Sequence, residues 1–283
     1  MVEKKINIAV FAYNEENSIE NAIRSIYESL GDSIKFKTFV LANGCVDNTV
    51  EIVRNMTNHY PGLSVVEIEM GDKCNAWNTY VYDYADDAYC HFFCDGDVTF
   101  SKGAFERMYD KLLENDLSFA VAGVPLSGRG RKKYFQMIKE KSNIFGNLYG
   151  LKNEFLKLVR SKNFKLPIGF LVDDNLIGRI ICTDIDRKNK PNKKRVVYDE
   201  HAGYYVRSLN PFSILDAKIY INRLIRYKLG ELQQDKLRPI SYNDFPVSLD
   251  SINNEILADL KTTNIPISNL ILRGVVRRLE NKY

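Results

Sequence analysis

Two aspartates stand one residue apart at the end of a strongly apolar run, in the stretch YCHFFCDGDVTF at residues 89–100. Asp95 and Asp97 flank only Gly96, so their charges repel, and burying either carboxylate without a partner would be costly. Two carboxylates beside a glycine that permits close backbone approach form a hard-oxygen site suited to Mg²⁺ or Mn²⁺, which substrate phosphates complete. A solvated turn is the alternative interpretation of such a pair taken alone.

A second acidic pair, Asp173-Asp174, follows an apolar segment that we interpret as a strand. Adjacent acids point in different directions, so one carboxylate can orient a group while the other acts as a general base on a hydroxyl. The alternative is N-terminal capping of a helix beginning near NLIGRII, and the two roles are compatible.

Three further features carry charge. Lys73 begins a predicted helix, where a cation and free backbone N–H groups suit a phosphate, although a surface lysine is the alternative. His201 is a candidate metal ligand, with a partly buried structural histidine as the competing interpretation. Two basic segments could bind an anionic acceptor or a membrane surface, and a solvated loop is the alternative for each. The first follows a predicted strand and contains Arg129, Arg131, Lys132 and Lys133, and the second, at 187–195, is interpreted as a solvated loop.

Strands and helices alternate through the first hundred residues, in units of about 30 residues that are typical of strand–helix–strand folds. We predict strands at 6–13, 36–42, 63–69 and 89–94, with helices at 14–31, 47–60 and 73–85 between them. This order predicts an α/β fold with a mostly parallel sheet and helices on both faces. Ligands bind beyond the carboxyl ends of such strands, which is where residues 13–15, 43–47 and 95–97 fall.

The second half of the chain is less regular. We predict a helix at 101–115, a strand at 117–125, a helix at 134–150 and a closing strand near 195–208. From Pro211 to about Gln234 the spacing predicts one long amphipathic helix, followed by short helical pieces. Packing on its own domain is the usual fate of such a helix, and a membrane surface or a second copy of the chain is the other interpretation.

Composition limits the class of protein. The chain has 283 residues and a net charge of +4, which is too small to indicate nucleic acid. No apolar run approaches the roughly 20 residues of a membrane span, and the N-terminus does not read as a signal peptide. The five cysteines form no CxxC pair, so we expect reduced thiols and a cytoplasmic protein.

Taken together, these motifs resemble the inverting nucleotide-sugar glycosyltransferases of family 2, which have a GT-A fold. Five segments occur in the order of that family, across roughly residues 6–206. They are VFAYNEENSIENAIRSI, LANGCVDNTVEIV, GDKCNAWN, CDGDV and LPIGFLVDDNLI. The resemblance implies a Rossmann-like catalytic domain at 1–210, with a nucleotide-sugar half at 1–100 and an acceptor half at 101–210, and a helical extension at 211–283.

The resemblance also implies roles for single residues. Ala12, Tyr13, Glu15 and Asn43 would lie around the donor nucleotide, and Lys73 would approach its diphosphate. Asp95 and Gly96 would contact the ribose or the metal shell, and Asp97 would coordinate Mn²⁺ or Mg²⁺. Asp174 would deprotonate the acceptor hydroxyl for attack at the anomeric carbon with inversion, and the metal would neutralise the leaving diphosphate.

Three departures from the family pattern affect these implications. Ala42-Asn43 replaces the usual acidic pair of the second motif, so the nucleotide need not be uridine, although a UDP-sugar is the first expectation. The later pair is Asp-Asp rather than Glu-Asp, which makes Asp173 a competitor for the base. The Gln-x-x-Arg-Trp motif of processive members is absent, which favours a single transfer.

We therefore expect a metal-dependent enzyme that moves one sugar to a hydroxyl acceptor in glycan, cell-envelope or glycolipid synthesis, with no nucleic-acid partner. It would be cytoplasmic, with peripheral contact at the inner membrane face as a further option. A nucleotidyltransferase or nucleotide-sugar hydrolase on a similar sheet is the alternative enzyme. A non-catalytic nucleotide-binding protein is the third hypothesis.

Overall fold

The computed structural model describes residues 4–31, 34–210, 212–263, 265–266 and 268–281. The chain divides into two compact units. The first comprises Met1–Phe164 and Asp174–Ser208, and the second comprises Lys165–Asp173 and Leu209–Tyr283. The short segment Lys165–Asp173 thus groups with the C-terminal residues, although it lies far from them in sequence.

One sheet of eight strands forms the centre of the first unit, in the order β3-β2-β1-β4-β7-β6-β8-β5. The strands are β1 (Lys5–Ala12), β2 (Lys35–Asn43), β3 (Leu63–Ile68), β4 (Cys90–Asp95), β5 (Val98–Phe100), β6 (Ala120–Pro125), β7 (Leu148–Lys152) and β8 (Val196–Val206). The first four are parallel neighbours, which confirms the predicted parallel sheet. Because the chain moves outward from β1 to β3 and then returns to β4, the strand order reverses between β1 and β4. Crevices at such points bind ligands.

Of the described residues, seven α-helices belong largely to this unit: α1 (Ile19–Ser29), α2 (Thr49–Thr57), α3 (Lys73–Thr79), α4 (Ala104–Leu113), α5 (Arg131–Lys141), α6 (Asn153–Ser161) and α7 (Asp173–Cys182). A single π-helical turn, Tyr80–Tyr84, extends α3. On one face of the sheet, α1 and α4 bury their apolar stripes against Ile8 and Val10 of β1. On the other face Trp77 of α3 stacks at 6.2 Å on Phe93 of β4. Helices therefore cover both faces, as predicted.

The predicted helix at 134–150 is wrong in its second half. Helix α5 ends at Lys141, where Ser142 takes a left-handed conformation (φ 55°), and β7 follows as an antiparallel neighbour of β4. Tyr149 stacks on Phe93 at 5.0 Å, and a Cβ on Gly150 would lie only 2.7 Å from the ring of Phe92. These sheet contacts override the helical spacing of the sequence.

The apolar segment before Asp173 also differs from its prediction. Residues 166–172 form no strand, and only an isolated parallel bridge joins Ile168 to Ser248. The segment is buried by packing within the second unit, where a Cβ on Gly230 would lie 2.6 Å from Val172. Apolar composition here reflects that packing rather than a place in the sheet.

Among its described residues, the second unit contains three α-helices: α8 (Ile214–Leu237), α9 (Asp250–Thr262) and α10 (Leu270–Glu280). Helix α8 confirms the predicted long helix, although Pro211, its predicted start, lies outside the described residues. The helices α9 and α10 are longer than the short pieces expected. Across the described residues, no helix combines the length and apolarity that crossing a membrane requires.

Candidate active site

The carboxyl ends of β1 and β4 meet in the crevice where the strand order reverses. Phe11 lies opposite Asp95 in the parallel register, and the N–H of Gly96 donates to the carbonyl of Phe11 at 2.8 Å. A Cβ on Gly96 would lie 3.1 Å from that carbonyl oxygen and 3.2 Å from Ile19 Cδ1. Gly96 therefore lets the Asp95–Asp97 turn pack directly against the end of β1, beside the buried Ala12.

Lys73, the first residue of α3, reaches across to the acidic turn. Its Nζ lies 2.5 Å from Asp95 Oδ1, and both side chains are partly exposed. The ammonium also lies 5.3 Å from the centre of the Phe11 ring. The pair thus offers a cation at the mouth of the crevice, held by a carboxylate that a charged ligand can replace.

A loop that sequence reasoning missed closes around this pair. Asn147 Nδ2 donates to Asp95 Oδ2 at 3.4 Å, so the two oxygens of Asp95 have different partners. A Cβ on Gly146 would lie 2.7 Å from Lys73 Nζ. No motif marks these residues, because their position depends on the antiparallel insertion of β7.

The acidic side chains that follow β1, β2 and β4 influence one another electrostatically. The pKa of Glu15 is raised, first by burial and then by the negative charges of Asp97, Asp95 and Asp47, while the hydroxyl of Ser18 opposes the shift. Glu15 and Asp97 therefore lie in one electrostatic neighbourhood, and Asp97 itself is exposed. Lys73 offsets the charge of Asp95, and the remaining acidic groups favour a bound cation.

The loop after β1 is fixed to the loop after β2. Asn14 adopts a left-handed conformation (φ 55°), and its Oδ1 accepts from the N–H of Val46 at 2.8 Å. Tyr13 is 57% exposed, and its ring lies against Gly71, where a Cβ would come within 3.1 Å of Cε2. An aromatic ring is thereby presented to solvent at the carboxyl end of the sheet.

Asn43 is buried at the end of β2, and its side chain links β2 to β1. Its Nδ2 donates to the carbonyl of Ala12 at 2.8 Å and more weakly to that of Leu41 at 3.3 Å. The amide group that replaces the family's usual acid thus bonds to backbone. Its nitrogen is engaged in both bonds, and the oxygen is the other polar atom of the amide.

Asp47 links the loops after β1 and β2. Its carboxylate accepts from the N–H of Glu16 and from the N–H of Thr49, each at 3.0 Å. Although burial acts in the opposite direction, the hydroxyl of Thr49 and these N–H groups lower the pKa of Asp47. The spacing Asp47-x-Thr49 is typical of a turn in which a side chain accepts from the backbone two residues later, and this pattern in the sequence indicates the role of Asp47.

Asp174 lies in the first turn of α7, where Oδ1 accepts from the N–H of Asn175 at 2.8 Å. Gly178, one turn later on the same face, lies beside Ile144, and a Cβ there would make an ordinary contact of 3.6 Å with Ile144 Cγ1. Two residues beyond Ile144, Gly146 contacts Lys73. The segment 144–146 therefore lies against both the face of α7 that carries Asp174 and the side chain of Lys73. Asp173 groups with the second unit.

His201 lies on β8 and is not brought to the two aspartates. Its carbonyl accepts from Ser101 Oγ at 3.2 Å, and its N–H donates to Asp199 at 2.8 Å. Ser101 is four residues beyond Asp97, a span on the order of 13 Å in an extended chain. Within the described part of the chain, no three His, Cys, Asp or Glu side chains are grouped to hold a metal. We therefore leave His201 out of the proposed metal shell.

The basic segment predicted as a loop is partly helical, since Arg131 begins α5 and Lys132 and Lys133 are exposed in its first turn. At the other end of α5, Lys193 Nζ donates to the carbonyl of Glu140 at 2.9 Å. The two basic segments of the sequence therefore lie at the two ends of one helix, which their separation in the chain had hidden.

Comparison with known proteins agrees with this fold. The model of the Glycosyl transferase family 2 matches residues 7–208, and the chain belongs to that family. It is accordingly a glycosyltransferase with a nucleotide-sugar-binding α/β fold, and the non-catalytic and nucleotidyltransferase interpretations are set aside. No curated protein sequence matches the chain significantly.

Solved structures with low sequence identity share the fold. The mannosyltransferase PcManGT from Pyrobaculum calidifontis, in complex with GDP-Man and Mn²⁺, is 18% identical with a TM-score of 0.61, over 97% of this chain and 80% of that one. S. aureus TarS 1-349 with UDP-GlcNAc is 15% identical with a TM-score of 0.58, over 97% and 72%. Glucosyl-3-phosphoglycerate synthase from Mycobacterium tuberculosis, with Mn²⁺, UDP-glucose and phosphoglyceric acid, is 18% identical with a TM-score of 0.52, over 79% of each chain.

Proposed function

We propose that this glycosyltransferase is metal-dependent and inverting, and that it moves one sugar from a nucleotide sugar to a hydroxyl acceptor. The observation that carries the proposal is the contact of Lys73 Nζ with Asp95 Oδ1 at 2.5 Å, beside the exposed Asp97, in the crevice between β1 and β4. Carboxylates gathered around one lysine suit a ligand that brings both a cation and phosphates.

The donor set fits Mn²⁺ or Mg²⁺. Asp97 is exposed at the turn, and Asp95 stands next to it with one oxygen on Lys73. Two carboxylates are fewer than a protein-only cage requires, and they match an ion whose shell is completed by water and a diphosphate. Such an ion supplies charge neutralisation for the departing nucleoside diphosphate. The neighbours PcManGT and glucosyl-3-phosphoglycerate synthase were both solved with Mn²⁺.

Lys73 would hold the diphosphate, exchanging its contact with Asp95 for the phosphate oxygens. Asp174 would take the proton of the acceptor hydroxyl, with Asp173 as the competing base. The acceptor oxygen then forms a bond to the anomeric carbon from the face opposite the leaving group, so the configuration inverts. The bond from that carbon to the phosphate oxygen breaks, and the nucleoside diphosphate leaves with the bonding electrons.

Tyr13, Ala12, Glu15 and Asn43 would form the nucleotide side of the site. The exposed ring of Tyr13 offers a stacking surface, and Asn43 offers its amide oxygen. UDP-sugars are the first donors to test, with GDP-mannose included because the neighbours hold both nucleotides. We place the reaction in glycan, cell-envelope or glycolipid synthesis, on the cytoplasmic side.

The test measures donor turnover by the wild type and by Asp97→Ala and Asp174→Asn variants, with Mn²⁺ present. Removing Asp97 should weaken nucleoside-diphosphate binding in calorimetry, and chelation should have the same effect on the wild type. Removing the base should lower kcat by about 10²–10⁴ while donor binding persists. Asp173→Asn is the matched control, and a larger loss of kcat there would transfer the role to Asp173. Wild-type turnover in both Asp97→Ala and Asp174→Asn would refute the proposal.

A further inference from the structure

Helix α8 is unusually exposed in its first half. Phe212, which precedes the helix, is 94% exposed, and Ile214, Leu215 and Tyr220 are 77%, 71% and 57% exposed. Large apolar side chains in such a group normally mark an interaction surface. From Leu229 onward the helix is buried at regular intervals, so its second half is the part that packs within the unit.

The exposed half is amphipathic around the helix axis. Ile214, Ala217, Ile221 and Leu224 recur at helical spacing and form one stripe, flanked by Tyr220 and Tyr227. Lys218 borders the stripe next to Ile214, and Arg223 and Arg226 lie on the opposite side of the helix. Leu215 and Ile219 fall among these polar residues. An apolar stripe with tyrosines at its border and cations opposite is typical of a helix that lies in a lipid interface.

The charge of this half-helix is entirely positive at its surface. Its single acid, Asp216, is buried and accepts from the N–H of Asn210 at 2.6 Å. Within the described chain, Lys218, Arg223 and Arg226 form no ion pair. Cations without acidic partners beside an apolar stripe favour an anionic surface.

Helix α10 adds further positive charge beside α8. Gly274 packs on Ile225 so closely that a Cβ would lie 2.3 Å from its Cδ1, which places α10 against α8. Burial and the positive charge of Arg226 lower the pKa of Arg278, so the two guanidiniums lie close enough to repel each other. Arg273 and Arg277 are exposed on α10 as well. An anion bound there would relieve the repulsion.

We propose that the first half of α8, together with the arginines of α10, binds the surface of an anionic lipid bilayer. A second copy of the chain fits less well. A two-fold interface would bring the same cations of both copies together, with the acid Asp216 buried and engaged. Lipid phosphates supply the missing negative charge, and the acyl boundary receives the apolar stripe.

The experiment is co-sedimentation of the full chain with vesicles. Phosphatidylcholine vesicles containing a third of phosphatidylglycerol are compared with phosphatidylcholine alone. We expect binding to the anionic vesicles only, weakened by high salt. Lys218→Ser with Arg223→Ser should weaken it roughly 30-fold, from the value of a cation near an anionic surface. Tyr220→Ser with Leu224→Ser should weaken it by more than about tenfold.

Two control variants separate this surface from others. Leu113→Ser with Leu117→Ser removes exposed apolar side chains elsewhere and should not change binding. Lys132→Ser with Lys133→Ser removes cations from α5 and should likewise leave it unchanged. All variants are checked by thermal unfolding. The proposal fails if anionic vesicles do not bind, if the α8 variants bind like the wild type, or if sedimentation shows a dimer that those variants dissociate. Vesicle binding requires no catalysis, so this result is independent of the proposed reaction.

Discussion

Lys73 Nζ lies 2.5 Å from Asp95 Oδ1, so the cation at the mouth of the crevice is held by one of the two carboxylates proposed to serve the metal. In the proposed reaction the two functions would be coupled, because a diphosphate that attracted Lys73 would also release Asp95. Both side chains are 28% exposed.

Replacing Lys73 with Met tests the phosphate role. The variant keeps the length of the side chain and removes its charge, so donor affinity should fall roughly ten- to hundredfold, as expected for a lost charge-assisted hydrogen bond. The dissociation constant of the nucleoside diphosphate is measured by calorimetry with Mn²⁺. Lys102→Met, on the surface, is the control. An unchanged dissociation constant in Lys73→Met would rule out the contact.

Gly146→Ala should weaken donor binding without unfolding the protein. The added Cβ would lie 2.7 Å from Lys73 Nζ, the end of a flexible side chain, so the ammonium shifts while the backbone stays in place. We expect KM for the donor to rise several-fold with little change in the thermal midpoint.

Gly178→Ala is the matched control for that substitution. Its Cβ would make an ordinary contact 3.6 Å from Ile144, and alanine replaces glycine inside a helix. Stability should increase by about 0.5–1 kcal/mol with KM unchanged. Equal KM values for both alanine variants would contradict the role assigned to the loop.

The raised pKa of Glu15 predicts a pH-dependent cost of folding. Burial, Asp97, Asp95 and Asp47 make its ionised form unfavourable in the folded state, so its contribution to stability decreases as the pH rises through the folded pKa. Glu15→Gln should therefore stabilise the protein more at pH 7 than at pH 4. Since Glu15 is partly exposed, the gain should stay below ~1 kcal/mol. Urea unfolding at pH 4 and pH 7 measures this gain in the free energy of unfolding. Glu28→Gln, at an exposed site, is the control. An equal gain at both pH values would contradict a raised pKa of Glu15.

The lowered pKa of the buried His91 predicts the opposite dependence of stability on pH. Burial is the largest cause that lowers its pKa, to about 4, while its ring nitrogen lies 2.8 Å from the hydroxyl of Tyr80. The unfolded chain takes up a proton near pH 6.5 and the folded protein near pH 4, so stability is lost as the pH falls through that window. The loss should be on the order of 3 kcal/mol.

Urea unfolding of His91→Phe measures the share of that loss due to His91. The variant should be less stable at pH 7, because Tyr80 loses its partner, and should show a flatter pH dependence. His201→Asn, at an exposed site, should keep the slope of the wild type. A wild-type slope in His91→Phe would show that other groups cause the acid sensitivity.

The parallel half of the sheet was predictable because each of its strands is a short apolar run bounded by turn residues. Once four parallel strands are accepted, residues 13–15, 43–47 and 95–97 must meet at one edge. The Gly146-Asn147 loop was not predictable, because β7 is held by Tyr149 stacking on Phe93, a contact between distant parts of the chain.

The segment before Asp173 illustrates the same limit. Its apolar residues satisfy the pattern of a buried strand, yet Val172 packs against Gly230, nearly sixty residues later. Local composition records that a segment is buried and does not record which partner buries it.

Asn43 has a consequence for how this chain diverges from its relatives. Its amide nitrogen bonds the carbonyl of Ala12, and an aspartate at that position has no hydrogen to donate. Restoring the family's usual acid would set a carboxylate against a carbonyl oxygen inside the sheet. Such a replacement would need a second change that supplies a donor, because the amide of Asn43 ties β1 to β2 at the carboxyl end of the sheet.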